Sequence, residues 1–262
     1  MASEGSGAAP SLSAVVVARN EAAQLGACLE RLAFADEIVV VLDRSNDGSA
    51  AIARNLGARV IEGAWEREGP RRNAGLDACS CDWIVEIDAD ERVPPALAAE
   101  IRAAIGQGAH DIFLVPMANH IGARCVRHGW GAYNGVAAKP ILFRRGAKHW
   151  GAGRVHPRIA MTGMRGTLIE ALDHYVDRDI GDMIRRLNRY TDLAALDAID
   201  AGEMPTRSSA LRRVFSRFWK SYVARKGHRE GAYGLALATF SALYPLLIYL
   251  KVATRAPRGE KE

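Results

Sequence analysis

The alternation of short apolar runs with helical patterns in the first third of the chain is the feature that most constrains its fold. Residues 13–19 (SAVVVAR) form a continuous apolar run, which is typical of a strand buried in a parallel sheet. Apolar residues then recur at helical spacing, at Leu25, Cys28, Leu29 and Leu32. Further strands are predicted at residues 37–43, 59–62 and 82–88. The pattern predicts an α/β domain with a mostly parallel sheet and right-handed crossovers.

Three polar clusters stand where predicted strands finish. They are Arg19-Asn20-Glu21, Asp43-Arg44-Ser45 and Asp88-Ala89-Asp90. In open α/β sheets, ligands bind outside the carboxyl ends of the strands. The three clusters are therefore predicted to line one ligand-binding edge of the sheet.

Asp88 and Asp90 are the candidate metal ligands. One residue separates them in a loop after an apolar strand, so both carboxylates can approach one hard cation. Mg²⁺ and Mn²⁺ prefer oxygen ligands and usually keep water or substrate phosphates in their remaining positions. Their place at a strand end favours this interpretation over a pair of solvated loop acids. Asp43, taken alone, is more typical of an Asx-type turn.

A basic motif, GPRRNAG, contains Arg71, Arg72 and Asn73 and is predicted to begin a helix. A helix N-terminus with two guanidinium groups suits a diphosphate, because both supply donors and positive charge. The alternative is a solvated basic loop.

The composition indicates a globular protein and argues against several kinds of site. Hydrophobic residues make up 49% of the chain and charged residues 25%. The cysteines, Cys28, Cys79, Cys81 and Cys125, form no CxxC pair and no zinc spacing, so reduced thiols are expected. No GxGxxG follows the first strand, which argues against a dehydrogenase, and no signal peptide is expected.

Together these motifs resemble the family-2 glycosyltransferases, whose Rossmann-like, GT-A type domain binds nucleotide-sugars. The residues that carry the resemblance are VVVARNEA at 15–22, VLDRSNDGS at 41–49, GPRRNAGLDA at 69–78 and EIDADERV at 86–93. Four motifs in this order make a more specific signal than any one of them. The resemblance implies an inverting transferase that uses Mg²⁺ or Mn²⁺ and a nucleotide diphosphate-sugar, with uridine as the expected nucleoside.

The resemblance also implies a role for each cluster. Asp43 is expected to contact the nucleotide base, Arg72 and Asn73 the nucleotide-sugar, and Asp88 and Asp90 the ribose and the metal. Further donor-binding residues are expected at the strand ends and in the basic motif, at Ala18, Asn20, Glu21, Ser45 and Arg71.

Catalysis requires a base within hydrogen-bond reach of the acceptor hydroxyl. The candidates are His156, Asp173 and His174, each with a structural hydrogen-bonding role as its alternative. Members of the resembling branch often carry Val-His-Glu, whereas this chain has Val155-His156-Pro157, so the acid of that motif is missing. We predict Asp90, His156 and Asp173 as the catalytic residues.

The second half of the chain extends the resemblance to the branch that contains lipopolysaccharide core β-glucosyltransferases. RLNRYTDLAA at 186–195 and KSYVARKGHREGAYGLALA at 220–238 carry it. It implies a lipid-linked glycan acceptor, such as lipopolysaccharide core, or a polyprenyl-linked sugar.

The C-terminal segment is strongly basic. Residues 203–262 contain twelve Lys/Arg against four Asp/Glu, although the whole chain has a net charge of only +5. Arg213, Arg217 and Lys220 recur at helical spacing beside an apolar and aromatic side, which comprises Val214, Phe215, Phe218, Trp219 and Tyr222. This pattern is typical of a helix that lies on an anionic bilayer. For the uncharged residues 231–250, an in-plane or partly buried helix is favoured over a spanning or core helix.

The predicted organisation is a disordered tail at 1–10, a glycosyltransferase catalytic domain at 11–201 and a helical C-terminal segment at 202–262. The protein is expected to be peripheral on the cytoplasmic face of the inner membrane, without a nucleic-acid partner. The alternatives are a nucleotidyltransferase of similar fold and a membrane-bound adaptor with a decayed site. The sequence leaves open the donor sugar, the acceptor and the oligomeric state.

Overall fold

The computed structural model describes residues 9–131, 136–152 and 158–255. The strands are β1 Leu12–Ala18, β2 Glu37–Asp43, β3 Arg59–Gly63, β4 Trp83–Asp88, β5 Glu91–Arg92, β6 Ile112–Ile121, β7 Arg124–Cys125, β8 Ala138–Arg144, β9 Lys148–Trp150, β10 Ile159–Met161, β11 Arg165–Thr167 and β12 Leu172–Asp177. The α-helices are α1 Ala22–Glu30, α2 Ser49–Asn55, α3 Glu68–Ala78, α4 Pro95–Gln107, α5 Ile180–Asp200, α6 Arg207–Trp219 and α7 Ala232–Arg255. A π-helical turn, Lys220–Ala224, and a 3-10 turn, Gly227–Glu230, lie between α6 and α7.

Within the described residues the chain forms two compact units. The first comprises residues 9–117, 138–152 and 158–174, and the second comprises 118–131, 136–137 and 175–255. The division falls within β6 and β12, and α5 belongs to the second unit. The predicted boundary after residue 201 stays a prediction about where the catalytic domain ends.

The first unit is built on a sheet with the strand order β3-β2-β1-β4-β8-β6. Strands β1 to β4 pair in parallel, whereas β8 is antiparallel to both β4 and β6. The predicted α/β domain with a mostly parallel sheet is confirmed. Each of the four strands predicted in the first third of the chain is observed to within one residue at either end.

Both faces of the sheet are covered by helices. Every residue of β1 is buried, and its side chains alternate between two apolar clusters. Val16 packs in the cluster that contains Leu25 of α1 and Leu97 of α4, whereas Val15 packs with Leu76 of α3. A continuous apolar run therefore forms this strand, because neither face is exposed to water.

The second unit is mainly helical, with α7 packed against α5 and α6. The spacing of Ile184, Leu187, Leu193 and Leu196 predicts a helix at residues 182–201 with these four residues on its apolar side. The helix is present as α5, but of the four only Leu187 is buried. Ile184 and Leu196 are exposed, and the buried residues are Met183, Leu187, Thr191 and Ala195. Thr191 can be buried because it donates its hydroxyl to the Leu187 carbonyl, 2.9 Å away.

Candidate active site

Two acidic side chains stand at the carboxyl edge of the parallel strands, as predicted from the strand ends. Asp43 is the last residue of β2 and Asp88 the last residue of β4, with β1 between them. Two strand spacings put them about 10 Å apart. Asp90 lies in the tight turn between β4 and β5. This edge of the first unit is where open α/β sheets bind ligands.

Asp43 is a buried carboxylate that accepts hydrogen bonds from three groups. The Arg44 guanidinium donates to it through Nε at 2.9 Å and Nη2 at 3.2 Å, and the Trp65 amide donates at 3.1 Å. Arg71 Nη1 lies 3.3 Å from Asp43 Oδ2. Burial opposes ionisation, but the hydrogen bonds from Arg44 and Trp65 outweigh it and lower the pKa of Asp43. The carboxylate is thus an ionised acceptor held in a fixed orientation.

Consecutive arginines on α3 contact the two strand-end acids. Arg71 contacts Asp43, while Arg72 donates to Asp88 at 3.0 Å, to Glu86 at 2.8 Å and to Glu68 at 2.8 Å. Both follow the first residues of the helix, which begins at Glu68. The Arg71 Nε is buried without a hydrogen-bond partner in the described part of the chain, so Arg71 keeps an unused donor beside Asp43.

Asp88 is balanced by two cations. Its Oδ1 accepts from Arg72 and its Oδ2 from Lys139 Nζ at 3.0 Å. Lys139 also donates to Glu91, whose second oxygen accepts the Asp88 amide at 2.8 Å. Burial opposes the ionisation of Asp88, but the charges of Arg72 and Lys139 hold its pKa well below its usual range. For Glu91, burial dominates and raises the pKa.

A buried ion pair extends this network beneath the sheet edge. Lys148 Nζ lies 2.6 Å from Glu86, and both side chains are almost completely buried. Burial lowers the pKa of Lys148 despite the attraction of Glu86. The Trp150 indole nitrogen donates to the same Glu86 oxygen at 3.2 Å, and the Arg72 guanidinium lies 4.7 Å from the Trp150 ring centroid. Four residues of this network were not predicted from the sequence as parts of the site: Lys139, Glu91, Glu86 and Lys148.

Asp90 and His174 are the side chains best placed to hold a divalent ion. His174 Nε2 lies 3.6 Å from Asp90 Oδ2, so a nitrogen and an oxygen lie close together. Burial alone would lower the pKa of His174, but its interaction with Asp90 raises it. Among the described residues, no cluster of three or more His, Cys, Asp or Glu side chains could hold a metal. Asp90 and His174 therefore suit an ion that takes its remaining ligands from a diphosphate and water.

The other predicted catalytic residues are placed differently. Asp173 pairs with Arg92 across β12 and β5 and directly precedes His174. Consecutive strand residues point to opposite faces, so the Asp173 side chain lies on the face of β12 opposite to His174. His156 lies outside the described residues.

The predicted donor-binding loop after β1 is joined to the loop after β2. The Asn20 amide donates to Ser45 Oγ at 3.1 Å, and Asn20 Oδ1 accepts the Asn46 amide at 3.0 Å. The Glu21 amide donates to Ser49 Oγ at 3.3 Å. Ala18 is the buried last residue of β1. Asn20 takes φ 55°, a left-handed conformation that asparagine tolerates. These contacts place the two predicted loops side by side at the sheet edge.

Asn73 joins α3 to β9. Its amide nitrogen donates to the Trp150 carbonyl at 2.9 Å, and its carbonyl oxygen accepts the Trp150 amide at 2.9 Å. Both functional groups of the side chain thus satisfy backbone groups. The helix approaches this segment closely, since a Cβ on Gly69 would lie 1.7 Å from the Gly151 carbonyl oxygen. The predicted contact of Asn73 with the donor stays a prediction.

Comparisons with known proteins identify the family of this chain. The profile of the family described as Glycosyl transferase family 2 matches residues 13–161. The lipopolysaccharide core biosynthesis glycosyltransferase LpsC of Rhizobium meliloti is 27% identical over 258 residues, covering 93% of this chain and 92% of that protein. An uncharacterized glycosyltransferase of Rickettsia bellii is 24% identical over 237 residues, covering 82% of this chain and 76% of that protein.

Among solved structures, glucosyl-3-phosphoglycerate synthase of Mycobacterium tuberculosis, in complex with Mn²⁺, UDP and glucosyl-3-phosphoglycerate, has a TM-score of 0.36 and 26% identity. That match covers 42% of this chain and 44% of that chain, so it spans less than half of either protein. The family match and the similarity to LpsC confirm the resemblance predicted from the four motifs. The chain belongs to glycosyltransferase family 2.

Proposed function

We propose that this glycosyltransferase transfers a sugar, with inversion, from a uridine diphosphate-sugar to a lipid-linked glycan such as lipopolysaccharide core. The proposal rests above all on the placement of Asp43, Asp88 and Asp90 along one edge of the parallel strands. The separation of about 10 Å between Asp43 and Asp88 suits a ligand with a base at one end and a diphosphate at the other.

Asp43 and Arg71 would recognise the base. Uracil presents an imide N–H beside a carbonyl oxygen. A protein that binds both groups needs a hydrogen-bond acceptor and a hydrogen-bond donor next to each other. The ionised Asp43 carboxylate supplies the acceptor, and the partly exposed Arg71 guanidinium supplies the donor.

Asp90, with His174, would hold Mg²⁺ or Mn²⁺. When bound, the ion supplies positive charge to the diphosphate leaving group. Asp88 already has both oxygens engaged by Arg72 and Lys139, so we assign Asp90 as the principal protein ligand and Asp88 to the ribose. Arg71 and Arg72 place further positive charge at the same edge, where negative charge develops on the departing diphosphate.

In the proposed reaction the acceptor oxygen bonds to the anomeric carbon as the bond from that carbon to the diphosphate oxygen breaks. The electron pair leaves with the diphosphate, and the hydroxyl proton passes to a base of the protein. His156 and Asp173 remain the proposed candidates for this base. His174 is not a candidate for this base, because it is assigned to the ion together with Asp90.

The acceptor and the location follow from the similarity to LpsC, whose name assigns it to lipopolysaccharide core biosynthesis. A lipid-linked acceptor requires the enzyme to act beside a bilayer. We therefore propose that the protein works as a peripheral enzyme at the cytoplasmic face of the inner membrane.

The proposed role of Asp43 predicts the effect of Asp43→Ala on donor binding. The variant should bind free UDP and UDP-sugar about 10- to 100-fold more weakly, and by the same factor, because a hydrogen bond to a charged group contributes about 1.5–3 kcal/mol. Titration calorimetry with Mn²⁺ measures both ligands. Asp77→Ala, at an exposed position of α3, is the control and should bind normally. Weaker binding of the sugar-bearing ligand alone would show that Asp43 does not contact the base.

A further inference from the structure

Helix α6 and the π-helical turn after it expose a stripe of large apolar side chains. Leu211, Phe215, Trp219 and Val223 recur at every fourth residue and are all exposed. Phe215 and Trp219 expose 75% and 63% of their surface. Side chains spaced by four residues lie along one side of a helix, so the four form a continuous apolar strip, which we call the α6 stripe.

The opposite side of α6 is the side that packs within its own unit. Ala210 and Ser221 are buried, and Ser221 donates its hydroxyl to the Gly129 carbonyl at 2.7 Å. The Arg217 guanidinium lies 5.2 Å from the Tyr244 ring centroid. The helix therefore already has one packing face, and the α6 stripe is a second, apolar face that points away from it.

The residues around the α6 stripe carry a large excess of positive charge. Residues 207–230 contain eight Lys/Arg and a single acid, Glu230. Glu230 is buried and accepts the amides of Arg127 and His128 at 2.9 and 3.0 Å, so it does not neutralise the surface. Arg212, Arg213 and Lys220 are exposed beside the stripe.

Helix α7 has a different role. Among the described residues it is the one helix long and apolar enough to cross a membrane. It nevertheless buries Leu237, Ser241 and Tyr244 within the second unit. Near its C-terminal end, Lys251 donates to the Asn188 side chain at 2.8 Å and pairs with Asp192 of α5 at 3.1 Å. These contacts show that α7 is partly buried within this unit.

We propose that the α6 stripe docks the enzyme on an anionic lipid surface, with α6 in the plane of the bilayer and α7 outside it. Phe215 and Trp219 insert among the lipids, while the flanking cations bind the headgroup phosphates. A second copy of the chain is a poorer occupant, because it would bring two cationic surfaces together. The inference rests on the proposed lipid-linked acceptor and adds the surface that faces the membrane.

The test compares two double variants of the full chain. Phe215→Ala/Trp219→Ala removes the centre of the stripe, and Leu235→Ala/Leu250→Ala removes two exposed leucines of α7 as a matched control. Co-sedimentation with vesicles of phosphatidylethanolamine and phosphatidylglycerol in equal parts gives the partition coefficient. The first variant should bind at least about tenfold more weakly, because it loses the two most exposed aromatic side chains of the stripe, and the control should bind as the natural chain does.

Trp219 also provides a spectroscopic readout. Its fluorescence should shift to shorter wavelength when vesicles are added, and Trp219→Phe should lose that shift while retaining binding. Equal binding by both double variants, or weaker binding by the α7 variant alone, would overturn the assignment to α6. Dimers in solution that dissociate in the Phe215→Ala/Trp219→Ala variant would identify a second copy as the occupant and also overturn it. UDP binding measured without vesicles tests the proposed function separately. A chain that binds UDP but not vesicles would refute only the docking surface, and a chain that binds vesicles but not UDP would refute only the proposed function.

Discussion

Asp90→Asn is expected to lower metal-dependent sugar transfer about a thousandfold. The substitution keeps the size of the side chain but removes the charge that binds the ion, and without the ion the diphosphate leaves with little of its charge balanced. Loss of one preorganised electrostatic contact at a reacting centre typically costs 100- to 1,000-fold, and loss of a metal removes several kcal/mol of stabilisation. Turnover of UDP-sugar with Mn²⁺ gives this ratio.

Measuring the binding of UDP to Asp90→Asn distinguishes a variant that no longer binds the metal from one that no longer folds. In calorimetry, Asp90→Asn should bind UDP equally weakly with Mn²⁺ and with EDTA, whereas the natural chain should bind more tightly with Mn²⁺. Asp77→Asn serves as the matched control, because Asp77 is an exposed aspartate on α3. Thermal unfolding should be nearly unchanged in both variants. Mn²⁺-dependent binding that survives in Asp90→Asn would contradict the assignment of Asp90 as the principal ligand.

Arg72→Met is expected to lower the free energy of unfolding by about 3–5 kcal/mol, the range typical for breaking a buried ion pair by removing one partner. Arg72 is mostly buried and contacts Glu68, Glu86 and Asp88. In the variant, Glu86 still pairs with Lys148 and Asp88 with Lys139. The same acids are then neutralised by one cation fewer. Urea unfolding at neutral pH measures the difference.

The neighbouring arginine supplies the control. Arg71 contacts a single acid, Asp43, which keeps the two contacts from Arg44 when Arg71 is removed. Arg71→Met should therefore change stability by about 1 kcal/mol or less, although it should weaken UDP binding. If the two variants are equally stable, the network around Arg72 contributes no more than a surface ion pair.

The strands and their polar ends could be predicted because their causes are local in the sequence. A strand buried on both faces must be apolar throughout, so β1, β2 and β4 were visible as continuous runs. Charged residues directly after such runs must lie at the sheet edge. Parallel pairing then brings Asp43 and Asp88 to the same edge, although 45 positions separate them in the chain.

The ionic network could not be predicted, because it depends on long-range pairing. Lys139 and Lys148 come from β8 and β9, and the antiparallel pairing of β8 with β4 brings Lys139 to Asp88. One local signal was present, since Glu86 is a carboxylate within an otherwise apolar buried strand and so requires a cation. The sequence does not indicate which cation meets it.

The basic motif shows that the position of a motif in the sequence does not predict the partners of its side chains. GPRRNAG was expected to open a helix and present its polar groups to a diphosphate. The helix does begin there, at Glu68, but Asn73 satisfies the backbone of Trp150. The motif located the site, but the partners of its side chains depend on β9, which follows about 75 residues later.

Release of free UDP is the measurement that tests the proposed transfer most directly. The full chain is incubated with a panel of UDP-sugars and Mn²⁺, without acceptor, and the nucleotide products are separated and quantified. We expect slow release of UDP from one or a few of these donors, abolished by EDTA and by Asp90→Asn. Failure to release UDP from any donor, combined with release of pyrophosphate from UTP and a sugar phosphate, would contradict the proposed transfer and indicate a nucleotidyltransferase.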